Sequence, residues 1–204
     1  MYIPQFIAPA VALLRFAAIP DAPPALSVLS EAASDTVALK YMAFVATKDK
    51  KWWGVGMPKA EDGAVLEMVD LGLDPMPLLA YWERKDYISP WGLLQLRDTD
   101  LCMNATVEII TEDDGTQLEQ ATAGPVYLRK CPKIPTSEDD VPWDALPMGA
   151  FWKSSSTTYG SRTFVSRDNV YLTFKFGEAK LWGHDWTVDD PPEDATSELL
   201  VSIG

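Results

Sequence analysis

The sequence predicts a mainly β protein: an antiparallel β-sandwich, jelly roll or open barrel, with an extended N-terminal arm and little helix. Short apolar runs recur at intervals of about ten residues and are separated by Gly, Pro and Asp, as in sandwiches and barrels. Two segments have clear hairpin patterns. No strand pattern alternates with a long amphipathic helix, which disfavours a parallel α/β sheet.

The clearest strand signal runs over residues 170–176, where apolar side chains occupy every second position. This period is typical of a half-buried strand. A glycine opens the two residues that follow, 177–178, and this favours a type II′ turn, which needs positive φ at its first central position. The returning strand then places Leu181 opposite Phe174.

A second hairpin is predicted on either side of an acidic turn that ends at Gly115. Apolar and polar residues alternate before the turn. A three-residue loop that ends in glycine places Val107 opposite Ala121 and Ala105 opposite Ala123, a consistent face of small residues.

The same hairpin bears on the state of the two cysteines, Cys102 and Cys131. Continued outward in simple register, it places Val126 or Tyr127 opposite Cys102. That is about four or five positions from Cys131, beyond the reach of a disulfide. We therefore expect two reduced thiols in a protein made in the cytosol.

The sequence predicts a single domain with an extension at each end. Residues 1–35 are expected to form an extended apolar, Pro-rich arm with a possible short helix. Residues 36–188 form a single antiparallel β domain with a long loop at 131–158, and residues 189–204 form an acidic C-terminal tail. Within the domain, residues 36–47 are apolar at nearly every position, which predicts a strand that is covered on both faces.

Composition argues against nucleic-acid binding, a transmembrane helix and a secretory signal. The chain has 204 residues and a formal net charge of −13, and it has no long basic run, so direct nucleic-acid binding is not expected. No window approaches the ~20 apolar residues of a transmembrane helix. No basic residue precedes the apolar N-terminal segment, so a secretory signal is not expected either.

The two ends are the candidate assembly contacts. Five prolines keep the N-terminal arm extended, and an exposed apolar segment of this length must be laid on a surface, its own or that of a neighbouring copy. The apolar C-terminal run can add one strand to a sheet, in the same chain or in a neighbour. The residues in this set are Ile3, Phe6, Ile7, Val11, Leu13, Leu14, Phe16, Leu199, Leu200, Val201 and Ile203.

A second candidate site surrounds His184, the only histidine. On a strand, Trp182, His184 and Trp186 project from one face, and Tyr171 is added from the neighbouring strand. Such an aromatic strip can stack on sugar rings or grip a protein, or it can simply be covered by the rest of the chain.

No catalytic, metal or cofactor site is predicted. A single imidazole with two cysteines is too little for a tetrahedral zinc site. The acidic pairs are neighbours in sequence and point apart, whereas glycosidase carboxylates must face each other. No P-loop, dinucleotide fingerprint or nucleophile elbow occurs.

These observations favour a non-enzymatic structural subunit of a repeated assembly, such as a capsid, decoration or tail protein of a virus or bacteriophage. Its expected partners are copies of itself and other structural proteins, and its expected location is the virion. The alternative is a carbohydrate- or ligand-binding β module that uses the aromatic strip. An enzyme with dispersed acidic residues ranks last.

Overall fold

The computed structural model describes residues 41–86, 90–134, 147–156, 161–185 and 193–203, with the backbone alone at 202 and 203. The predicted N-terminal arm, Trp186 and most of the predicted long loop lie outside these residues. The strands are β1 (Met42–Lys48), β2 (Lys51–Val55), β3 (Met68–Asp70), β4 (Trp82–Asp86), β5 (Trp91–Leu96), β6 (Leu101–Thr111), β7 (Gln117–Lys130), β8 (Phe151–Ser156), β9 (Arg162–Ser166), β10 (Val170–Lys175), β11 (Lys180–Asp185), β12 (Ala195–Thr196) and β13 (Leu200–Ile203).

Seven of these strands close into an antiparallel barrel in the order β5-β6-β7-β11-β10-β9-β8. Pairing of β8 with β5, through Gly92↔Trp152 and its neighbours, completes the ring. The prediction of a mainly β fold is confirmed. Closure leaves the barrel wall without a free edge, which an open barrel would have.

The remaining strands extend this wall outside the barrel. Strand β4 pairs with β5 along its whole length, and β1 meets β4 at Met42↔Trp82. Strands β2 and β3 continue from β1. All five residues from Met42 to Ala46 are buried, as predicted for a strand covered on both faces, and residues 36–40 of the predicted segment lie outside the described residues.

A single large core joins the barrel to the outer strands. Phe44 of β1 contacts Phe164 of β9 edge to face, with ring centroids 5.0 Å apart and planes at 82°. Trp152 is buried, and its Nε1–H donates to the carbonyl of Met103 at 3.0 Å. Aromatic rings thus fill the space between strands that are distant in sequence.

The register predicted for the last hairpin is correct, and its turn is not. Phe174 pairs with Leu181. The loop is a 3-10 turn over Phe176–Glu178, and Ala179 has the positive φ of 51° in place of Gly177. A type II′ turn is therefore wrong.

The C-terminal segment explains why this loop is longer than two residues. Phe176 N–H donates to the carbonyl of Asp194 at 2.8 Å, and Gly177 N–H donates to Asp194 Oδ2 at 3.1 Å. A Cβ on Gly177 would collide with that carboxylate oxygen. The glycine is required for the close approach of Asp194, since its own φ is not positive.

The second hairpin begins as predicted and then changes register. Val107 pairs with Ala121, but a β-bulge follows in which the pairs shift from Thr106↔Thr122 to Asn104↔Tyr127. The predicted pairing of Ala105 with Ala123 is therefore wrong, and Ala105 N–H donates to the Gly149 carbonyl instead.

Proline accounts for the position of the bulge. Pro125 has no N–H to give to the ladder, and its carbonyl accepts a hydrogen bond from the Thr106 hydroxyl at 2.8 Å. The neighbouring Gly124 packs directly on Thr106, where a Cβ would collide. The ladder is interrupted here and resumes in a different register.

This shift brings the cysteines together. Cys102 pairs with Arg129, two residues from Cys131, and the two cysteines form a disulfide with a Cα–Cα distance of 4.9 Å. The expectation of reduced thiols is therefore wrong. A regular ladder would keep the two cysteines apart, and the bulge removes that separation.

Two segments predicted as loop or tail contribute strands. Strand β8 lies within the predicted loop 131–158 and pairs with both β5 and β9. Within the predicted tail, β12 pairs with β10, and β13 pairs with β1 from Met42↔Ile203 to Val45↔Leu200. The chain's C-terminal run therefore joins its own sheet.

Candidate functional site

The predicted aromatic strip lies on the outer face of β10 and β11. Tyr171 pairs with His184, and Trp182 lies one step along the same face. All three side chains are partly buried. The fourth predicted member, Trp186, lies outside the described residues.

A cation already covers one side of this strip. Lys175 Nζ lies 4.5 Å from the centroid of the Trp182 ring, a cation–π contact. Three open grooves in the described part of the chain are lined by other side chains. The strip is thus a shallow, half-covered surface, and sugar stacking on Trp182 would have to displace the lysine from the face that it occupies.

A more exposed surface is the outer half of the β6–β7 hairpin, residues 106–120, which we call the projecting hairpin. These strands are buried where they form the barrel wall and become exposed beyond the bulge. Ile109 is 65% exposed, and it is accompanied by exposed Val107, Ile110 and Leu118. Clustered apolar side chains on a protrusion are typical of interaction surfaces.

Both faces of the projecting hairpin carry apolar side chains. The pairs Val107↔Ala121 and Ile109↔Glu119 share one face, and Ile110↔Leu118 lies on the other. The second face borders a groove that is also lined by Met148 and Arg167. A partner can therefore contact either face.

The backbone of the projecting hairpin is also accessible at its edges. Ala105 N–H points outward to the Gly149 carbonyl, and Ala121 N–H points outward to Asp168 Oδ2 at 2.6 Å. Because outward and inward groups alternate, Ile109 and Glu119 also direct their backbone groups outward. Among the described residues, the hydrogen-bond partners of these outer edges stop at Ala105, which bonds to the Gly149 backbone, and at Ala121, which bonds to the Asp168 side chain.

All charged side chains of this hairpin are acidic, because no lysine or arginine occurs between Arg97 and Arg129. At the turn, hydrogen bonds from Thr116 hold the pKa of the Asp114 carboxyl below its ordinary value, and the backbone N–H contributes one at 2.8 Å. Gly115 has a φ of 85°, which suits glycine at this position. The acids of the hairpin are Glu108, Glu112, Asp113, Asp114 and Glu119.

A second exposed apolar surface lies around the segment between β3 and β4. Leu78 is 77% exposed, and its carbonyl accepts a hydrogen bond from Met57 N–H at 2.9 Å. Leu73 and Met76 are also exposed.

The structure places only part of the predicted assembly set. Ile3, Phe6, Ile7, Val11, Leu13, Leu14 and Phe16 lie outside the described residues. Leu199 is fully buried in the chain's own core, and Leu200 and Val201 pack against buried clusters of the same chain. Ile203 pairs through its backbone with Met42. Of the two arrangements expected for the C-terminal run, a strand added to its own sheet or to a neighbour's, the structure has the first.

Within the part of the chain that the structure describes, no cluster of three or more His, Cys, Asp or Glu side chains could hold a metal ion. In the same residues, no helix is long and apolar enough to cross a membrane.

No protein-family model and no curated protein sequence matches the chain.

Proposed function

We propose that the chain is a non-enzymatic structural subunit of a repeated protein assembly that interlocks with neighbouring copies through its N-terminal arm. The observation that carries the proposal is the projecting hairpin, whose apolar side chains and backbone edge are both accessible. Such an edge is an aggregation hazard unless a partner covers it. The sequence also predicts an interlocking role for the C-terminal tail; in the structure its apolar run pairs with β1 of the same chain.

The class of assembly that we favour is a virus or bacteriophage particle, as a capsid, decoration or tail component. The closed antiparallel barrel can serve as a scaffold that presents surfaces for contact with neighbouring subunits. The disulfide is compatible with virion surfaces among other oxidising environments, after synthesis in the cytosol. The net charge of −13 favours a position away from packaged nucleic acid.

The experiment that tests this proposal is sedimentation of the purified full chain over a range of concentrations. We expect homo-oligomers, and we expect removal of residues 1–25 to weaken them. A length-matched control keeps those residues but replaces Ile7, Val11 and Leu14 with serine, and it should weaken association in the same way. A full chain that stays monomeric at every concentration would refute the proposal.

The carbohydrate-binding alternative is favoured only by the partial exposure of Trp182 and Tyr171. Titration of tryptophan fluorescence with a panel of glycans separates the two functions. The structural proposal expects no saturable change. Saturable quenching that disappears in Trp182→Ala, and persists in Trp91→Phe, would favour the alternative.

A further inference from the structure

The outer edge of β6 between residues 107 and 111 has what an added strand needs. Val107 pairs with Ala121, whose N–H points outward to Asp168, so the backbone groups of Val107 and Ile109 also point outward. Val107, Ile109 and Ile110 expose apolar side chains on its two faces. A strand placed there would gain main-chain hydrogen bonds and apolar contacts together.

The outer edge of β7 is less suited to the same role. Leu118 is the only exposed large apolar residue among its positions 117–120. Its next outward donor, Ala121 N–H, is already bound to Asp168. An incoming apolar strand would therefore bind more favourably beside β6.

The sequence contains a matching segment in residues 10–19, AVALLRFAAI, which lie outside the described residues. This is an apolar stretch bounded by Pro9 and Pro20, so every one of its residues can donate to a ladder. Its only charged residue is Arg15, whereas the hairpin carries acids alone. The chain before Tyr41 can span up to ~130 Å when extended, which is enough to reach a neighbouring subunit.

We propose that residues 12–16 of a neighbouring copy, the middle of this apolar stretch, add as an antiparallel strand to the outer edge of β6 at residues 107–111, with Arg15 opposite Glu108. This inference rests on the proposed function, because it requires self-association. Antiparallel pairing is favoured over parallel pairing, which is slightly less stable. The register also aligns apolar residues: Leu14 with Ile109, Leu13 with Ile110, and Phe16 with Val107.

A pair of proline substitutions in the full chain tests which edge is used. Ile109 and Glu119 face each other in the hairpin, and both direct their N–H outward. Ile109→Pro removes a donor from the β6 edge, and Glu119→Pro makes the same change on the β7 edge. We expect Ile109→Pro to weaken self-association about tenfold and Glu119→Pro to leave it unchanged. Circular dichroism checks that both variants fold.

Cysteine cross-linking tests the register and separates neighbouring copies from the same chain. Two differently tagged full chains, Leu14→Cys and Ile109→Cys, are mixed and mildly oxidised. We expect a covalent dimer that contains both tags, and we expect none when Glu119→Cys replaces Ile109→Cys. A chain that carries both substitutions and closes only on itself would overturn the proposal in favour of burial within the subunit.

Charge reversal gives a third readout. Arg15→Glu should weaken self-association about two- to fivefold, and Glu108→Arg in the same chain should restore it, since the two residues meet across copies. If the full chain associates through its arm but the Ile109→Pro, cross-linking and charge-reversal results are all negative, the inference fails and the proposed function stands. A chain that is always monomeric refutes both.

Discussion

Removing the disulfide should lower the free energy of unfolding by about 3.5 kcal/mol. The perturbation is the double substitution Cys102→Ala with Cys131→Ala. The two residues are 29 positions apart, so the closed loop of about 30 residues gives about 3.5 kcal/mol at 25 °C from chain entropy. Cys102 lies against Leu93 and Phe151, where alanine can be accommodated without burying a polar group.

The assay is urea denaturation with and without reductant, supported by thermal unfolding. For a chain of 204 residues, the expected loss corresponds to a fall in Tm of about 7–14 °C. Reductant should destabilise the unsubstituted protein and leave the double variant unchanged. Equal urea midpoints for the two proteins, together with two thiols that react after unfolding without reductant, would refute the reasoning.

Two further predictions concern single side chains. Trp152→Phe removes the indole N–H that donates to the buried Met103 carbonyl, so we expect a loss of about 1–3 kcal/mol in urea denaturation; an unchanged midpoint would contradict the bond. The Asp114 carboxyl should titrate below its ordinary pKa in an NMR titration, and Thr116→Ala should move its midpoint upward. Because the folded-state pKa is lowered, the carboxylate's contribution to stability is complete above the ordinary value and is lost as pH falls through the lowered one.

The sequence was sufficient where a strand is half-buried and regular. Alternation between residues 170 and 176 fixed which side chains face inward, and the pairing of Phe174 with Leu181 followed. The turn beyond it was not predictable in this way. Its shape depends on Asp194, which arrives from the far end of the chain and binds the loop backbone.

The bulge in the second hairpin shows a different limit. Alternation predicts which face a residue occupies, but an inserted residue changes its partner on the other strand. Pro125 was the available signal, because a proline within a ladder indicates an edge or a bulge. Without that step, Cys102 and Cys131 were placed too far apart for a bond that the fold makes.

The sequence predicts the projecting hairpin as a hairpin but does not predict that its apolar side chains are exposed. The pattern predicted a hairpin around Gly115, and it could not show that the barrel wall ends before Ile109 and Ile110. Exposure of these residues depends on where the neighbouring strands stop, and pairing with β5 and β11 is confined to the barrel half. The consecutive pair of isoleucines, which breaks the alternation, was the one local indication.

The pairing of β1 with β13 affects the order in which the strands can pair during synthesis. Residues near position 42 emerge from the ribosome early, whereas their partners near position 203 are made more than a hundred residues later. During that interval one side of an apolar strand has no permanent neighbour, and long-range pairings of this kind are slow to form. The β1–β13 pairing can therefore form only after the C-terminal run has been synthesised, so this part of the sheet closes late.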